Sequence, residues 1–413
     1  MKYFQESSEV TYAAKRSVSS LYIHVPFCHD QCNYCGFYSI AKADDRLIHA
    51  WYQGIRLELQ RIRDEAERHG VVIEPLETVY FGGGTPSFLS PIMIDSIIKY
   101  AASLFTLNDD CDITLEANPE SIIGEVTCWD SDRGREVVWR WVEAGVNRIS
   151  FGLQSATDSL LRLAGRRHTL AQAVEAVHIT YDMGLRDISV DLMTGLPSQT
   201  IDDIEYALQV IAHLPINHVS SYALSVEKGT HFYRMRHDNP ALFPDDETER
   251  LMTHRLIDGL SELGFTHYEI SNFARSCSES KHNIVYWSAD PYLAVGPAAA
   301  SYMGGIRRCN DASIERWLAC VSDTNEGPYG RSTVEEVVDE SAARIETMIL
   351  GLRLLRGVSR SRFFRRHNID YDEIFNDQMV YLEGKGLLER LERRVRLTAK
   401  GLDFADVVAR EFL

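Results

Sequence analysis

Six times between residues 21 and 225, a short β-branched or aromatic run gives way to a longer stretch with helical periodicity. That alternation specifies a parallel sheet assembled from βα units. Strands are expected at Leu21–Val25, Thr78–Gly82, Asp112–Ala117, Arg148–Gln154, Asp187–Met193 and His218–Ser225, with helices around 45–69, 91–104, 133–144, 170–183 and 200–213 between them. Six units fall short of the eight that close a full barrel, so the expected fold class is α/β, a partial (β/α)6 barrel. Chemistry in such barrels collects at the carboxyl ends of the strands. A cysteine loop, a glycine run, Glu116, Gln154 and Asp191 all fall at or near those ends, on one rim.

The first strand, Leu21-Tyr22-Ile23-His24-Val25, leads through Pro26 and Phe27 into a C-x3-C-x2-C motif at Cys28, Cys32 and Cys35. Thiolates spaced this closely on one loop can converge on a soft metal centre. Two readings compete. A structural zinc site wants a fourth Cys or His, and His24 and His29 are close in sequence. It leaves Gly82-Gly83-Gly84-Thr85-Pro86 unexplained. The alternative is a 4Fe-4S cluster on three cysteines with one iron open. The spacing resembles that of radical S-adenosylmethionine (SAM) enzymes, where the amino and carboxylate groups of SAM fill the open site. Those enzymes also carry a glycine-rich segment after the second strand.

Glycines at a strand end let backbone groups approach a ligand, although a plain tight turn is the other reading. Under the resemblance, this run holds the amino group of the SAM methionine. Glu116, in Leu115-Glu116-Ala117-Asn118-Pro119, and Gln154, in Phe151-Gly152-Leu153-Gln154, end the third and fourth strands; Asp191 lies in Val190-Asp191-Leu192-Met193. Carboxylates and amides accept hydrogen bonds from ribose hydroxyls and an ammonium, whereas polar strand ends can also merely face solvent. Arg166, twelve residues past Gln154, suits the SAM carboxylate.

Together these segments resemble the radical SAM family of oxygen-independent coproporphyrinogen III oxidases, from about residue 20 to the end. That family's fold is a partial (β/α)6 radical SAM barrel with a C-terminal winged-helix-like domain. By position in its motifs, Tyr22, Gly83, Gly84, Thr85, Glu116, Gln154, Arg166, Asp191 and Ala223 are the expected SAM contacts, and Cys28, Cys32 and Cys35 the cluster ligands. Two features point to the heme chaperone branch. The oxidases resemble C-x3-C-x2-C-x-C and carry a long N-terminal extension; here Phe37 stands at the further cysteine's place and 27 residues precede Cys28. Lys281-His282-Asn283-Ile284-Val285-Tyr286-Trp287 also resembles the H-N-x-x-Y-W motif of that branch. His282 is then an expected iron ligand, with Tyr286 and Trp287 packing on the porphyrin. The implied cofactors are the 4Fe-4S cluster, SAM and heme, and the implied partners are heme and heme-accepting respiratory proteins rather than nucleic acid. Peripheral membrane contact and a homodimer stay open, and no catalytic residue is assigned. The competing enzymatic reading is oxidative decarboxylation of coproporphyrinogen III. Departures from the family occur at 122–140, a long connection holding Cys128, Trp129 and Trp139, and at Ala300, where relatives commonly carry a His.

Past the sixth strand come a helix near 246–263, a strand at His267–Asn272, a turn through Gly296-Pro297-Ala298-Ala299-Ala300, and a polar linker from Ser322 to Ser332. Helices near 336–355, 360–367 and 371–385 and a hairpin built from 386–390 and 395–398 suggest the winged-helix-like domain. The expected division is an N-terminal extension over 1–20, a barrel body over 21–321 and that domain over 333–413. A net charge of −17 argues against a chain that tracks a phosphate backbone. Six arginines without an acid between Arg353 and Arg366 run against the trend; a solvated helix face is the plain reading and a nucleic-acid contact the other. Of eight cysteines, three cluster at ligand spacing and five are scattered, which suits a reducing, cytoplasmic setting. The first twenty residues lack the apolar core of a secretory signal, and no apolar run reaches membrane-spanning length.

Overall fold

The computed structural model describes residues 17–69, 72–124, 130–323 and 333–413. The six expected strands are β1 (Ser17–Val25), β2 (Val72–Gly83), β3 (Leu107–Ala117), β4 (Arg148–Gln154), β5 (Asp187–Thr194) and β6 (His218–Ala223). They lie side by side in chain order and all run parallel. Three more strands extend the sheet: β7 (Thr266–Glu269), β8 (Asn272–Ala274) and β9 (Leu293–Val295). β9 joins β1 in parallel, and the β7–β8 hairpin joins β6 antiparallel, giving an open sheet of order β9-β1-β2-β3-β4-β5-β6-β8-β7. The strand expected at His267–Asn272 is thus a hairpin. Its turn is drawn to the C-terminal domain, where the Ile270 amide donates to the Arg353 carbonyl at 3.1 Å.

Side-chain alternation along these strands separates two environments. Outward residues such as Ile149, Phe151, Ile188, Val190 and Val219 join the main apolar core. Helices α1 (Asp45–His69), α2 (Pro91–Leu104), α3 (Ser131–Glu143), α4 (Leu170–Asp182), α5 (Ile201–Ile211) and α6 (Asp246–Glu262) supply the rest of it. Ser90 caps α2, a Thr169–Gln172 capping box starts α4, and Asp245 caps α6. The inner face is polar: Thr78, Thr114, Arg148, Ser150, Ser189, His218 and Ser220 are all buried. Helix α7 (Lys281–Trp287) fills the lower interior, where Ser280 and Asn283 share a narrow pocket with Arg148, Ser189 and His218.

β10 (Ala300–Met303), β11 (Ile306–Cys309) and, after α8 (Ile314–Ser322), β12 (Thr333–Val337) form a second, antiparallel sheet. β12 opens at the residue where the C-terminal domain is expected to begin, and it pairs antiparallel with β11. The C-terminal domain comprises α9 (Glu340–Gly351), β13 (Val358–Ser359), α10 (Arg360–His367), α11 (Tyr371–Gly384), β14 (Leu388–Leu391) and β15 (Arg394–Leu397). It has its own core of Met348, Phe363, Phe375, Met379 and Val395 and a three-stranded wing. The arginine run is mostly spent on docking and local pairing. Arg362 reaches Asp290 at 2.6 Å, Arg366 donates to the Ser288 carbonyl at 2.9 Å, and Arg360 pairs with Asp370 at 2.6 Å.

Residues 17–20 belong to β1 rather than to an N-terminal extension, whose residues 1–16 lie outside the described residues. Cys128 and Trp129 of the unusual connection, and the linker over 324–332, also lie outside them. No described helix is long and apolar enough to cross a membrane.

Candidate functional site

The cysteine loop is fixed at both ends and in the middle. Phe27–Cys28 pairs with Ile40–Ala41, and the Lys42 amide donates to the Cys28 carbonyl at 3.2 Å. At its centre Asn33 donates from its amide to the Ala164 carbonyl at 3.0 Å and from Nδ2 to the Leu163 carbonyl at 2.8 Å, while its own carbonyl accepts from Phe232 at 2.9 Å. So anchored, Cys28, Cys32 and Cys35 line one cavity of about 580 Å³ at the carboxyl ends of the strands. All three thiols are free. The Thr85 hydroxyl donates to Cys28 Sγ and Arg166 Nη1 donates to Cys32 Sγ, each at 3.3 Å. Burial pushes the Cys28 and Cys35 thiols up, which Thr85 opposes at Cys28. Such thiols become good ligands when a cation compensates the thiolate.

The zinc alternative finds no support in this geometry. Among the described residues no three His, Cys, Asp or Glu side chains form a group that could hold one metal ion. His24 contacts the Tyr22 hydroxyl through Nδ1 at 3.1 Å, and His29 packs edge-on against Phe88 at 4.7 Å. Neither lines the cavity. A cluster makes a different demand, because each thiolate binds its own iron. Three thiols facing a roomy cavity, with donors on two of the sulfurs, fit that demand.

Of the nine expected SAM contacts, seven line this same cavity: Gly83, Gly84, Thr85, Glu116, Gln154, Arg166 and Asp191. The glycine run is demanded first by the protein. A Cβ at Gly83, where φ is +114°, would fall 2.5 Å from the His24 ring, and one at Gly84 would fall 2.8 Å from the Phe27 carbonyl. Its amides are also spent: Gly83 donates to Glu116 Oε2 at 3.2 Å, Gly84 to the Val25 carbonyl and Thr85 to the Phe27 carbonyl, both at 2.8 Å. Backbone contacts to a ligand therefore fall to carbonyls. Gln154 ends β4 with φ at +67°, a left-handed conformation costly for a non-glycine residue and frequent at functional sites.

Tyr22 and Ala223 do not line the cavity. Tyr22 lies beneath it, its ring 6.2 Å from that of Tyr80. Ala223 ends β6, and its neighbours Tyr222 and Ser225 form the wall instead. Residues missed from sequence include Tyr34, Ser150, Met193, Tyr222 and Glu227, together with Asn118, which accepts from Arg166 Nη2 at 2.6 Å. Asn118 follows Glu116 by two residues at a strand end, a signal that could have found it.

Burial pushes Glu116 up to about 7, against hydrogen bonds from the Tyr80 hydroxyl at 2.8 Å and the Gly83 amide. Burial likewise raises Asp191, which accepts from Ser150 at 3.0 Å. Two carboxyl groups held above their usual range on one wall invite a cation.

The expected heme residues His282, Tyr286 and Trp287 do not line this cavity. His282 is 1% exposed and both ring nitrogens are engaged, Nδ1 with Thr78 Oγ1 at 2.7 Å and Nε2 with the Tyr286 hydroxyl at 2.8 Å. Its ring stacks on Tyr80 at 5.0 Å, and burial pushes its pKa down to about 3. Trp287 is half-buried beneath the Arg353 guanidinium, 4.2 Å above its ring. The helix carrying the motif is thus a plug in the barrel floor. Ala300 opens β10 and pairs with Cys309, away from the cavity.

Comparison with known proteins agrees with this geometry. The Radical SAM superfamily profile matches residues 22–211, and the HemN C-terminal domain profile matches residues 339–404. A solved structure of the coproporphyrinogen III oxidase HemN from Escherichia coli, described as a radical SAM enzyme, superposes with a TM-score of 0.78. It is 20% identical and covers 98% of this chain and 91% of its own. That likeness speaks for the fold, a radical SAM barrel followed by a HemN-type C-terminal domain. The heme chaperone HemW of Bacillus subtilis is 33% identical over 401 residues, 96% of this chain and 99% of its own length. HemW of Lactococcus lactis is 30% identical over 395 residues, 96% and 97% of the two chains. The chain belongs to the HemW family.

Proposed function

We propose that this chain is a heme chaperone of the cytoplasm, with a 4Fe-4S cluster on Cys28, Cys32 and Cys35 and SAM in the adjoining cavity. One observation carries the reading: three free thiols and seven SAM-type residues share a single cavity in a chain similar over its whole length to HemW proteins. When bound, such a cluster supplies electrons singly to SAM. The chain's own residues bind and orient. Carbonyls of Gly83 and Gly84, with Glu116, take the ammonium; Arg166 takes the carboxylate; Gln154 and Asp191 take the ribose hydroxyls. An ammonium beside Glu116, itself held near 7, would lower that value, so that the carboxyl proton leaves to solvent and the carboxylate becomes a charged partner.

Heme is assigned to the mouth of the same cavity rather than to His282. Phe37, 74% exposed, stands there with Met193 and Tyr222, offering an aromatic face to a flat macrocycle. Contact of heme with His282, which is 1% exposed, would require its surroundings to open. Delivery to respiratory hemoproteins is the further part of this reading.

The test uses anaerobically reconstituted protein titrated with heme and followed at the Soret band, with a parallel incubation with coproporphyrinogen III, SAM and a reductant. Stoichiometric heme uptake, weakened several-fold in Phe37→Ala and without decarboxylated product, is expected. Decarboxylated product without stable heme binding would make the protein an oxidase.

A further inference from the structure

Asn118 occupies the N-cap position of the short helix Pro119–Ile123, where asparagine normally accepts a hydrogen bond from the helix, yet its side chain makes no capping bond. Both ends of its amide are used elsewhere. Oδ1 accepts from Arg166 Nη2 at 2.6 Å, and Nδ2 donates to Thr85 Oγ1 at 3.4 Å. Each of these partners donates to a different cysteine of the loop, Arg166 to Cys32 Sγ and Thr85 to Cys28 Sγ. Backbone contacts hold the hub in place: the Asn118 amide donates to Ser87 Oγ at 3.2 Å, and Arg166 Nη2 also reaches the Gly152 carbonyl at 2.8 Å.

We propose that Asn118 is a positioning residue for the cluster, aiming one hydrogen bond at each of two ligand sulfurs and thereby setting the cluster's reduction potential. The polarity of the network is what makes an amide necessary. Thr85 Oγ1 has one proton; because it accepts from Asn118 Nδ2, that proton is free to point at Cys28. Arg166 has several N–H groups; because Asn118 Oδ1 and the Gly152 carbonyl hold Nη2, Nη1 faces Cys32. An aspartate at 118 would keep the acceptor for Arg166 but become a competing acceptor for the Thr85 proton. Leucine would remove both partners. Hydrogen bonds and positive charge at ligand sulfurs stabilise the more negative, reduced cluster and so raise its potential. Losing them lowers it.

The inference rests on the proposed cluster, and the experiment separates the two. Wild-type protein, Asn118→Asp, Asn118→Leu and Thr85→Val are reconstituted anaerobically without SAM. Iron and acid-labile sulfide are counted first, and the fraction reduced at a fixed poise is then read by electron paramagnetic resonance. Wild-type protein that takes up no cluster overturns the cluster itself. With clusters assembled, the reduced-to-oxidised ratio is expected to fall about ten-fold in both Asn118 variants, equivalent to about 59 mV for one electron. Thr85→Val, which nearly preserves side-chain size, should produce part of that fall and add little when combined with Asn118→Leu. Loaded variants with the wild-type ratio would overturn the positioning role, and so would full additivity of Thr85→Val with Asn118→Leu. If Asn118→Leu fails to fold, Asn118→Asp and Thr85→Val carry the same comparison.

Discussion

Replacing His282 by alanine separates a packing histidine from a heme ligand. The side chain makes two hydrogen bonds in a buried site, with Thr78 and Tyr286, and stacks on Tyr80. Removing it forfeits about 1 kcal/mol per hydrogen bond, leaves two hydroxyls short of a partner and opens a ring-sized void, together about 3–5 kcal/mol. Urea unfolding should show this as a midpoint lowered by about 1 M or more, at a slope of a few kcal/mol/M. The pH dependence gives a second, independent mark. Burial holds His282 near 3, against an ordinary value of 6.5, so the unfolded chain takes up this proton first as the solution is acidified. Its stabilising contribution is therefore complete above 6.5 and declines as pH falls from there toward 3. The slope approaches about 1.4 kcal/mol per pH unit for this one group. His282→Ala should be less stable at pH 7 and lose less on acidification, while keeping heme uptake when assayed cold. An unchanged urea midpoint with heme uptake abolished would refute the packing role.

Glu58 on α1 accepts from the Gly296 amide at 2.8 Å, Asn310 Nδ2 at 2.6 Å and Trp317 Nε1 at 3.1 Å, so Glu58→Gln sets an amide NH2 against at least one of these donors. A loss of about 2–3 kcal/mol is expected in urea unfolding. Gly357 has φ at +72° and lies where an added Cβ would be 2.1 Å from the Val395 carbonyl. Gly357→Ala should loosen the C-terminal wing selectively, giving faster proteolysis beyond residue 339 at unchanged cluster content. Cys28→Ala, Cys32→Ala and Cys35→Ala should each abolish stable iron and sulfide uptake, whereas Cys277→Ala, at an exposed thiol outside the cavity, should leave it intact.

What the sequence made legible is what local periodicity encodes. Helix α1 begins and ends where its pattern predicts, and β4 runs over the expected residues because its alternation of Arg148, Ser150 and Gly152 with Ile149, Phe151 and Leu153 is visible in one dimension. That the three cysteines, Gly83, Glu116, Gln154 and Asp191 would line one cavity was legible as well, since each lies at or near a strand end. Non-local pairing stayed hidden. β12 falls just past the expected linker and overlaps the start of the helix expected near 336; its strand conformation is set by antiparallel pairing with β11, some way back along the chain. Asn118 received no role from the sequence; only the positions of Thr85 and Arg166 show what its amide holds. Nothing near His282 in sequence reveals that Thr78 engages its Nδ1 from strand β2.

That enclosure of His282 follows from the barrel's inner face. Its strands place hydroxyls, Arg148 and His218 in the interior, and a buried polar surface is stable only when its groups find partners. An apolar helix in the floor would strand them. α7 enters with Ser280 and Asn283 toward that polar pocket and with a histidine that offers Thr78 and Tyr286 one donor and one acceptor at once. An imidazole does this in either neutral tautomer, and neither leucine nor lysine can. Above it, Tyr80 stacks on His282 and donates to Glu116, so the floor helix steadies a carboxyl group that faces the cavity. The sequence His282-Asn283-Ile284-Val285-Tyr286-Trp287 can therefore be demanded by the barrel without touching heme. Tyr80→Phe, which keeps the stack and removes only the hydroxyl, should then disturb ligand binding at Glu116 while leaving the stability contributed by His282 nearly unchanged.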